Sequence, residues 1–283
     1  MGQNRQLFGL RMLVTGASQG IGRALVVEGL KAGMEVMAVA RKPALLQQLS
    51  VEAPPSGKLI TLAADVANLE GRRAMVERAQ GLWTGLDILV NNAGIGATGH
   101  FAEAESSILR RIFEVNVFGL METTRAFLPI IKKGKTPAIV NISSIAGLRG
   151  IPARAAYSAS KFAVEGFSDA LRAELFKDNV SVLVVCPGLT QTHFSENMIE
   201  RKAKIQMDHM RGMTATEVAY ATLESMRAGR DRILLTTDAK KISFITKFFP
   251  GLADRIAKKK VASLFKDEMS QTYRGIYPDF LSQ

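Results

Sequence analysis

The chain has 283 residues, 47% of them hydrophobic and 22% charged, which excludes a disordered or collagen-like polymer and leaves enough apolar side chains for a large core. Its 37 lysines and arginines outnumber 26 aspartates and glutamates by a formal +11, a balance that suits an anionic cofactor, an anionic membrane surface or nucleic acid. A single cysteine, Cys186, excludes an intramolecular disulfide and a multi-cysteine zinc site, so no metal is expected and a reducing cytoplasm is the expected setting.

Met1 to Leu10 has no apolar run of the kind a secretory signal needs, and no stretch reaches the roughly 18 uninterrupted apolar residues of a spanning helix. Gln6 stands where a myristoylation signal needs Ser or Thr, so the chain is expected to be neither exported nor membrane-spanning. Short apolar runs then alternate with longer segments of helical period. Strands are predicted over 12–15, 35–40, 59–63, 88–91, 138–142, 180–186 and 232–235, and helices over 21–31, 44–49, 69–83, 106–131, 157–176 and 216–227. This alternation predicts a doubly wound, Rossmann-type α/β fold with a seven-stranded, mostly parallel sheet and helices on both faces. One domain is expected over 1–283, with its core at about 9–238, a lid insertion at about 193–214 and a basic, helical C-terminal extension from about 239.

Thr15-Gly16-Ala17-Ser18-Gln19-Gly20-Ile21-Gly22 follows the first strand directly and opens the first helix. Glycines at such a junction let the backbone approach a pyrophosphate while helix amides point at it. A glycine-rich turn alone is also how an ordinary tight strand-to-helix connection is made. The spacing Gly-x-x-x-Gly-x-Gly resembles that of the short-chain dehydrogenase/reductase family, and the resemblance extends further. Asn91-Asn92-Ala93-Gly94 is similar to that family's motif after the fourth strand, Asp65 in Ala64-Asp65-Val66 to its acidic residue at the adenine, and Pro187-Gly188-Leu189-Thr190-Gln191-Thr192 to its segment along the nicotinamide. The resemblance covers residues 15–192. It implies a nicotinamide dinucleotide held by Gly16, Ser18, Gln19, Gly20, Ile21, Gly22, Asp65, Val66, Asn92, Ala93, Gly94, Pro187, Gly188, Thr190 and Thr192, together with Tyr157 and Lys161.

Ser144, Tyr157 and Lys161 stand thirteen and then four residues apart, with Asn116 twenty-eight residues before the serine. The i, i+4 pair puts Tyr157 and Lys161 on one helix face. A phenol of ordinary pKa near 10 is a poor base, and an ammonium nearby favours its ionised form, a field that Lys161 can supply. Tyr157 would exchange a proton with a substrate oxygen while hydride moves between a nicotinamide and the attached carbon, and Ser144 would stabilise charge on that oxygen. The resemblance implies that Asn116 holds a water linking Lys161 to solvent. Taken singly, each of the four has an ordinary structural explanation; their joint spacing argues for chemistry. Ser143 is expected to be a packing or hydrogen-bonding neighbour.

At the end of the second strand the sequence reads Val39-Ala40-Arg41-Lys42. The acid that would accept from a ribose 2′-hydroxyl is absent, and Arg41 can fork onto a 2′-phosphate, so NADP(H) is favoured over NAD(H). Residue 19, where the family carries a second basic marker, is Gln.

Met198, Met207, Met210 and Met213 make the lid segment methionine-rich, which suits an apolar or variable substrate as well as plain packing, while Arg201, Lys202 and Lys204 are read as solvent-facing. In the tail, 242–252 interleaves aromatics with Lys247 ahead of Lys258-Lys259-Lys260. Packing on the body or on a partner subunit is the favoured expectation, a contribution to the pocket the next, and peripheral membrane contact the third. The expected activity is interconversion of a carbonyl and a primary or secondary alcohol with NADP(H), and the alternative is a non-catalytic NADP(H)-binding sensor or scaffold. A homodimer or homotetramer is expected, built on the helices 106–131 and 157–176. No nucleic-acid partner is expected, since no reader module or stacking motif accompanies the basic excess.

Overall fold

Alternation along each strand divides the core in two. In β1 (Arg11–Thr15), Met12 and Val14 point to one face of the sheet and Leu13 to the other, and both faces are buried, as a parallel sheet between two helical layers requires. The computed structural model describes residues 5–202 and 212–264. Six strands join β1: β2 (Glu35–Ala40), β3 (Lys58–Ala63), β4 (Ile88–Asn91), β6 (Ala138–Ile142), β7 (Ser181–Cys186) and β11 (Arg232–Leu234). They form one sheet in the order β11-β7-β6-β4-β1-β2-β3, parallel throughout, with Met12 of β1 aligned to Val36 on one side and Ile88 on the other.

The order in which successive strands are added reverses between β1 and β4, and a crevice opens at their carboxyl ends, where doubly wound sheets place ligands. The helices are α1 (Gly20–Lys31), α2 (Pro43–Glu52), α3 (Leu69–Leu82), α4 (Ser106–Phe113), α5 (Leu120–Ile131), α6 (Ala155–Leu175) and α7 (Ala215–Arg227). Two further helices, α8 (Thr237–Phe248) and α9 (Pro250–Leu264), form the tail.

The continuous helix predicted over 106–131 is interrupted. A π-helical segment, Glu114–Gly119, separates α4 from α5 and carries Asn116. The Asn116 amide exchanges hydrogen bonds with the backbone of Ile95, at 2.8 and 2.9 Å, so a loop twenty-one residues upstream holds the insertion in place. Periodicity cannot show this, because the widened turn keeps the apolar face inward.

Two short parallel pairs were also absent from the sequence reading. β8 (Thr190–Gln191) pairs with β10 (Met213–Thr214), and β5 (Ala97–Thr98) with β9 (Glu200–Arg201), tying both ends of the lid segment to the body. Arg201 and Lys202 are exposed as expected, while Lys204, Met207 and Met210 lie outside the described residues.

Candidate active site

Thr15 ends β1 with its hydroxyl turned inward. It donates to the Val90 carbonyl at 3.2 Å and accepts from the amides of Asn92 and Ala93 at 3.0 and 3.1 Å. In return Asn92 donates its side-chain amide to the carbonyls of Thr15 and Gly16. The glycine turn and the Asn-Asn-Ala-Gly segment are therefore one rigid unit. Gly16 has φ +65°, and a Cβ there would lie 2.8 Å from the Ala93 Cα. A Cβ on Gly22 would stand 2.3 Å from the Gly16 carbonyl oxygen, so Gly22 serves the packing of helix against turn and does not itself face the cavity. α1 begins at Gln19 with no side-chain cap and no acid in its first turn, which leaves its amides for an anion.

Above this unit lies a cavity of about 970 Å³. Of the residues implied to hold a dinucleotide it is lined by Gly16, Ser18, Gln19, Gly20, Ile21, Arg41, Asp65, Val66, Asn92, Ala93, Gly94, Pro187, Gly188, Thr190 and Thr192. Ser144, Tyr157 and Lys161 line it too, on the β6 and α6 side of the switch point, whereas Arg41 follows β2 on the other side. The volume, the bare glycine cradle and the uncapped helix end fit a nicotinamide dinucleotide.

Ser144 leaves β6 in extended conformation and its hydroxyl accepts from the Ala146 amide at 3.1 Å. It also hydrogen-bonds Tyr157. Tyr157, Lys161 and Glu165 follow one another at i, i+4 and i+8 on the buried face of α6. The Lys161 ammonium donates to the Ile142 carbonyl at 2.8 Å and sits 5.8 Å from the centre of the Tyr157 ring. The tyrosine, lysine and serine of the family motif thus converge on one cavity over the dinucleotide cradle.

The family description "short chain dehydrogenase" matches residues 11–203. The chain belongs to the short-chain dehydrogenase/reductase family. It is 32% identical over 277 residues to a dehydrogenase/reductase SDR family protein 7-like of Drosophila melanogaster, covering 94% of this chain and 85% of that one. The ketoacyl reductase HetN of Nostoc sp. is 31% identical over 258 residues, 88% of each chain. Among solved structures, a family member from Burkholderia phymatum in complex with NAD superposes with TM-score 0.78 at 25% identity, over 88% of this chain and 96% of that one. A short-chain dehydrogenase from Burkholderia cenocepacia in complex with NADP gives 0.77 at 28% identity, over 89% and 99%. This dehydrogenase/reductase is accordingly an oxidoreductase of CH–OH or keto groups that uses a nicotinamide cofactor.

Asn116 does not line the cavity. It is buried, and besides holding Ile95 its amide donates to Ser160 at 3.0 Å. A Cβ on Gly94 would lie 3.4 Å from the Asn116 Oδ1 and 3.7 Å from the Lys161 Nζ, so Asn116 backs the loop that lies against the lysine. Ser143, predicted to be a neighbour, is buried with an unpartnered hydroxyl.

The electrostatics differ from the sequence expectation. Burial holds the Tyr157 phenol above its ordinary value, opposed by the Ser144 hydrogen bond and then by the charge of Arg154. Lys161 stands 5.8 Å from the centre of the same ring. Burial lowers its own pKa to about 8, with Glu165 and then Cys186 pulling the other way. Arg154 immediately precedes α6 and lines the cavity; it is a buried cation that sequence reasoning missed, because a single arginine three residues before a tyrosine has no distinctive spacing.

Other participants were equally invisible. Glu165 accepts from Cys186 at 3.2 Å and pairs with Arg232 at 3.0 Å behind Lys161. Burial first, and then Glu165, drive the Cys186 thiol far up, which leaves it an inert core group. Asp65 pairs with Arg111 of α4 at 3.0 Å. From the lid, Phe194 brings its ring to 5.5 Å from that of Tyr157, with His193, Asn197 and Met213 also in the wall. The side-chain amide of Asn197 donates to Gln19 at 3.2 Å and so ties the lid to the glycine turn.

Proposed function

We propose that this protein is an NADP(H)-dependent reductase of a carbonyl group, with Tyr157 as proton donor and the alcohol as product. Convergence of Ser144, Tyr157 and Lys161 on the cavity that carries the glycine cradle is the observation on which the reading stands. When bound, the nicotinamide supplies a hydride to the carbonyl carbon. Ser144 donates to the carbonyl oxygen as charge grows there, and Tyr157 transfers its proton to that oxygen. A phenol held above its ordinary value is protonated at neutral pH, which suits the donor role and the direction of reduction. Lys161, charged below about pH 8, supports the phenolate left behind. The ketoacyl reductase among the relatives favours a keto substrate. Phe194 over Tyr157, with Ile145, Ile151, Leu189 and Met213 in the wall, favours an apolar body on it.

Arg41 and Lys42 support NADP(H): both are exposed at the cavity edge and neither forms an ion pair among the described residues. Arg41→Asp should raise KM for NADPH by roughly 10- to 100-fold, the worth of a charge-assisted hydrogen bond, and KM for NADH far less. Equal changes for both cofactors, read from initial rates, would remove Arg41 from phosphate recognition.

Assembly through the α5 and α6 faces is part of the same proposal. Phe118, just before α5, is 52% exposed and Phe162, on α6, 46%, an apolar pair on the outer surface beside the catalytic helix. Wild-type protein should scatter light as a dimer or tetramer at micromolar concentration, and Phe162→Asp should shift it toward the monomer. A monomeric wild-type mass refutes the assembly.

A further inference from the structure

The phenylalanines of the tail do not pack on the body of their own chain. Phe244, Phe248 and Phe249 are 56%, 58% and 53% exposed, and Leu252 and Ile256 of α9 are exposed as well. Ala239 and Ala253 are the fully buried positions among the described side chains of α8 and α9, Ile242 and Ile245 are half-buried, and the phenylalanines face outward. The rings form one cluster, with Phe244 lying 4.9 Å from Phe248 and 6.1 Å from Phe249 between centroids. The same two helices carry Lys240, Lys241, Lys247, Arg255, Lys258 and Lys259, all exposed and none in an ion pair among the described residues. Across 237–264 seven basic residues face two acidic ones, a net of +5, and one of those acids, Asp254, is taken by Arg149 of the body.

We propose that α8 and α9 form a docking surface for an anionic lipid bilayer, with the phenylalanine cluster entering the headgroup boundary and the surrounding lysines meeting lipid phosphates. An aromatic patch rimmed by unpaired cations has that chemistry: rings supply buried apolar area at the interface, and the ammonium groups keep their water while facing negative charge. Lys247 illustrates it, its Nζ 5.6 Å from the centre of the Phe248 ring. A second copy of the chain fits the patch poorly. A two-fold contact would set one +5 surface against another and would strip water from lysines that have no acid to meet.

The surface adjoins the catalytic cavity. Thr237, Asp238 and Ile242 of α8 line the cavity wall, so the helix that presents phenylalanines to the lipid also borders the active site. A carbonyl compound dissolved in the bilayer is the substrate class this favours, a clause that rests on the reductase reading; the docking surface itself does not.

Flotation of the full chain with vesicles of phosphatidylcholine alone and with vesicles that also contain phosphatidylglycerol tests the surface without any turnover. Wild-type protein should float with the anionic vesicles and not with the neutral ones, and about 0.5 M salt should release it as screening shortens the reach of the lysines. Phe248→Ser with Phe249→Ser should lower the vesicle-bound fraction about tenfold or more, and Lys258→Glu with Lys259→Glu should do likewise. Both pairs lie on the solvent side, so circular dichroism and NADPH fluorescence should match wild type. Wild-type protein that stays in the aqueous fraction with both vesicles would overturn the proposal, as would a phenylalanine variant that floats unchanged. A lower oligomeric mass in that variant, with vesicle binding intact, would assign the patch to a second copy. Failure of the reductase reading would show instead as absent NADPH oxidation in protein that still floats.

Discussion

Tyr157→Phe should lower turnover of any accepted carbonyl substrate by roughly 10²- to 10⁴-fold, the usual worth of a positioned general acid, while NADPH binding stays near that of wild type. The substitution removes one hydroxyl and keeps the ring that packs against Phe194. The phenol is also the only ring hydroxyl that the structure places against Ser144 among the groups lining the cavity. Steady-state rates paired with NADPH fluorescence titration separate the two effects. A variant turning over within a few-fold of wild type would take the proton transfer away from Tyr157, and one that no longer binds NADPH would show that the hydroxyl serves the cofactor first.

Lys161→Ala should show two separate pH signatures. Burial brings the native ammonium to about 8, so it is charged below that pH and neutral above it. If its charge supports the Tyr157 phenolate, wild-type kcat/KM in the reductive direction falls as pH rises through about 8, and the variant is slow at every pH without that limb. Stability moves the other way. Between about 8 and the ordinary lysine value of 10.5 the unfolded chain holds a proton that the native chain has released. Stability of wild type relative to Lys161→Ala therefore rises with pH across that window. Chemical denaturation at several pH values reads it directly. A flat difference between the two proteins across the window would mean that the buried lysine titrates normally.

Several features of the site make both results depend on residues brought in from far along the chain. Glu165 lies one turn beyond Lys161 and is itself held by Arg232 of β11 and Cys186 of β7. Removing Lys161 leaves this acid buried beside a neutral thiol with Arg232 as its remaining cation, so the stability change contains a cost for Glu165 as well. The pH window, set by the titration of Lys161 in its buried surroundings, is the cleaner measure.

How much of this was legible beforehand follows from the range of the interactions. Strand positions and the doubly wound order of elements are written in local alternation and turn chemistry, and every predicted strand of the sheet is present within a residue or so of its expected bounds. The glycine turn is legible because Gly22 meets the Gly16 backbone and Gly16 meets the Ala93 backbone, with the Asn92 side-chain amide against both glycines, so only one residue type fits at fixed spacing. Tyr157 and Lys161 are legible because a helix places i and i+4 on one face whatever surrounds it.

What no local pattern carries is the partner of a group once the chain has folded back. Whether the Tyr157 phenol is raised or lowered depends on the balance of its burial against Ser144 and Arg154, and the Lys161 ammonium donates to the Ile142 carbonyl in the field of Glu165. The break in the predicted 106–131 helix depends on Ile95 accepting Asn116 across the fold. In the tail the sequence by itself determined that a helical segment carries aromatics and lysines together. Only the tertiary structure decided which way that face turns, because an amphipathic period records that one side is apolar and holds no record of what covers it. Here Ala239 of α8 meets the body and the phenylalanines are left to solvent, since a small residue allows the close approach of helix to body that bulky rings would block.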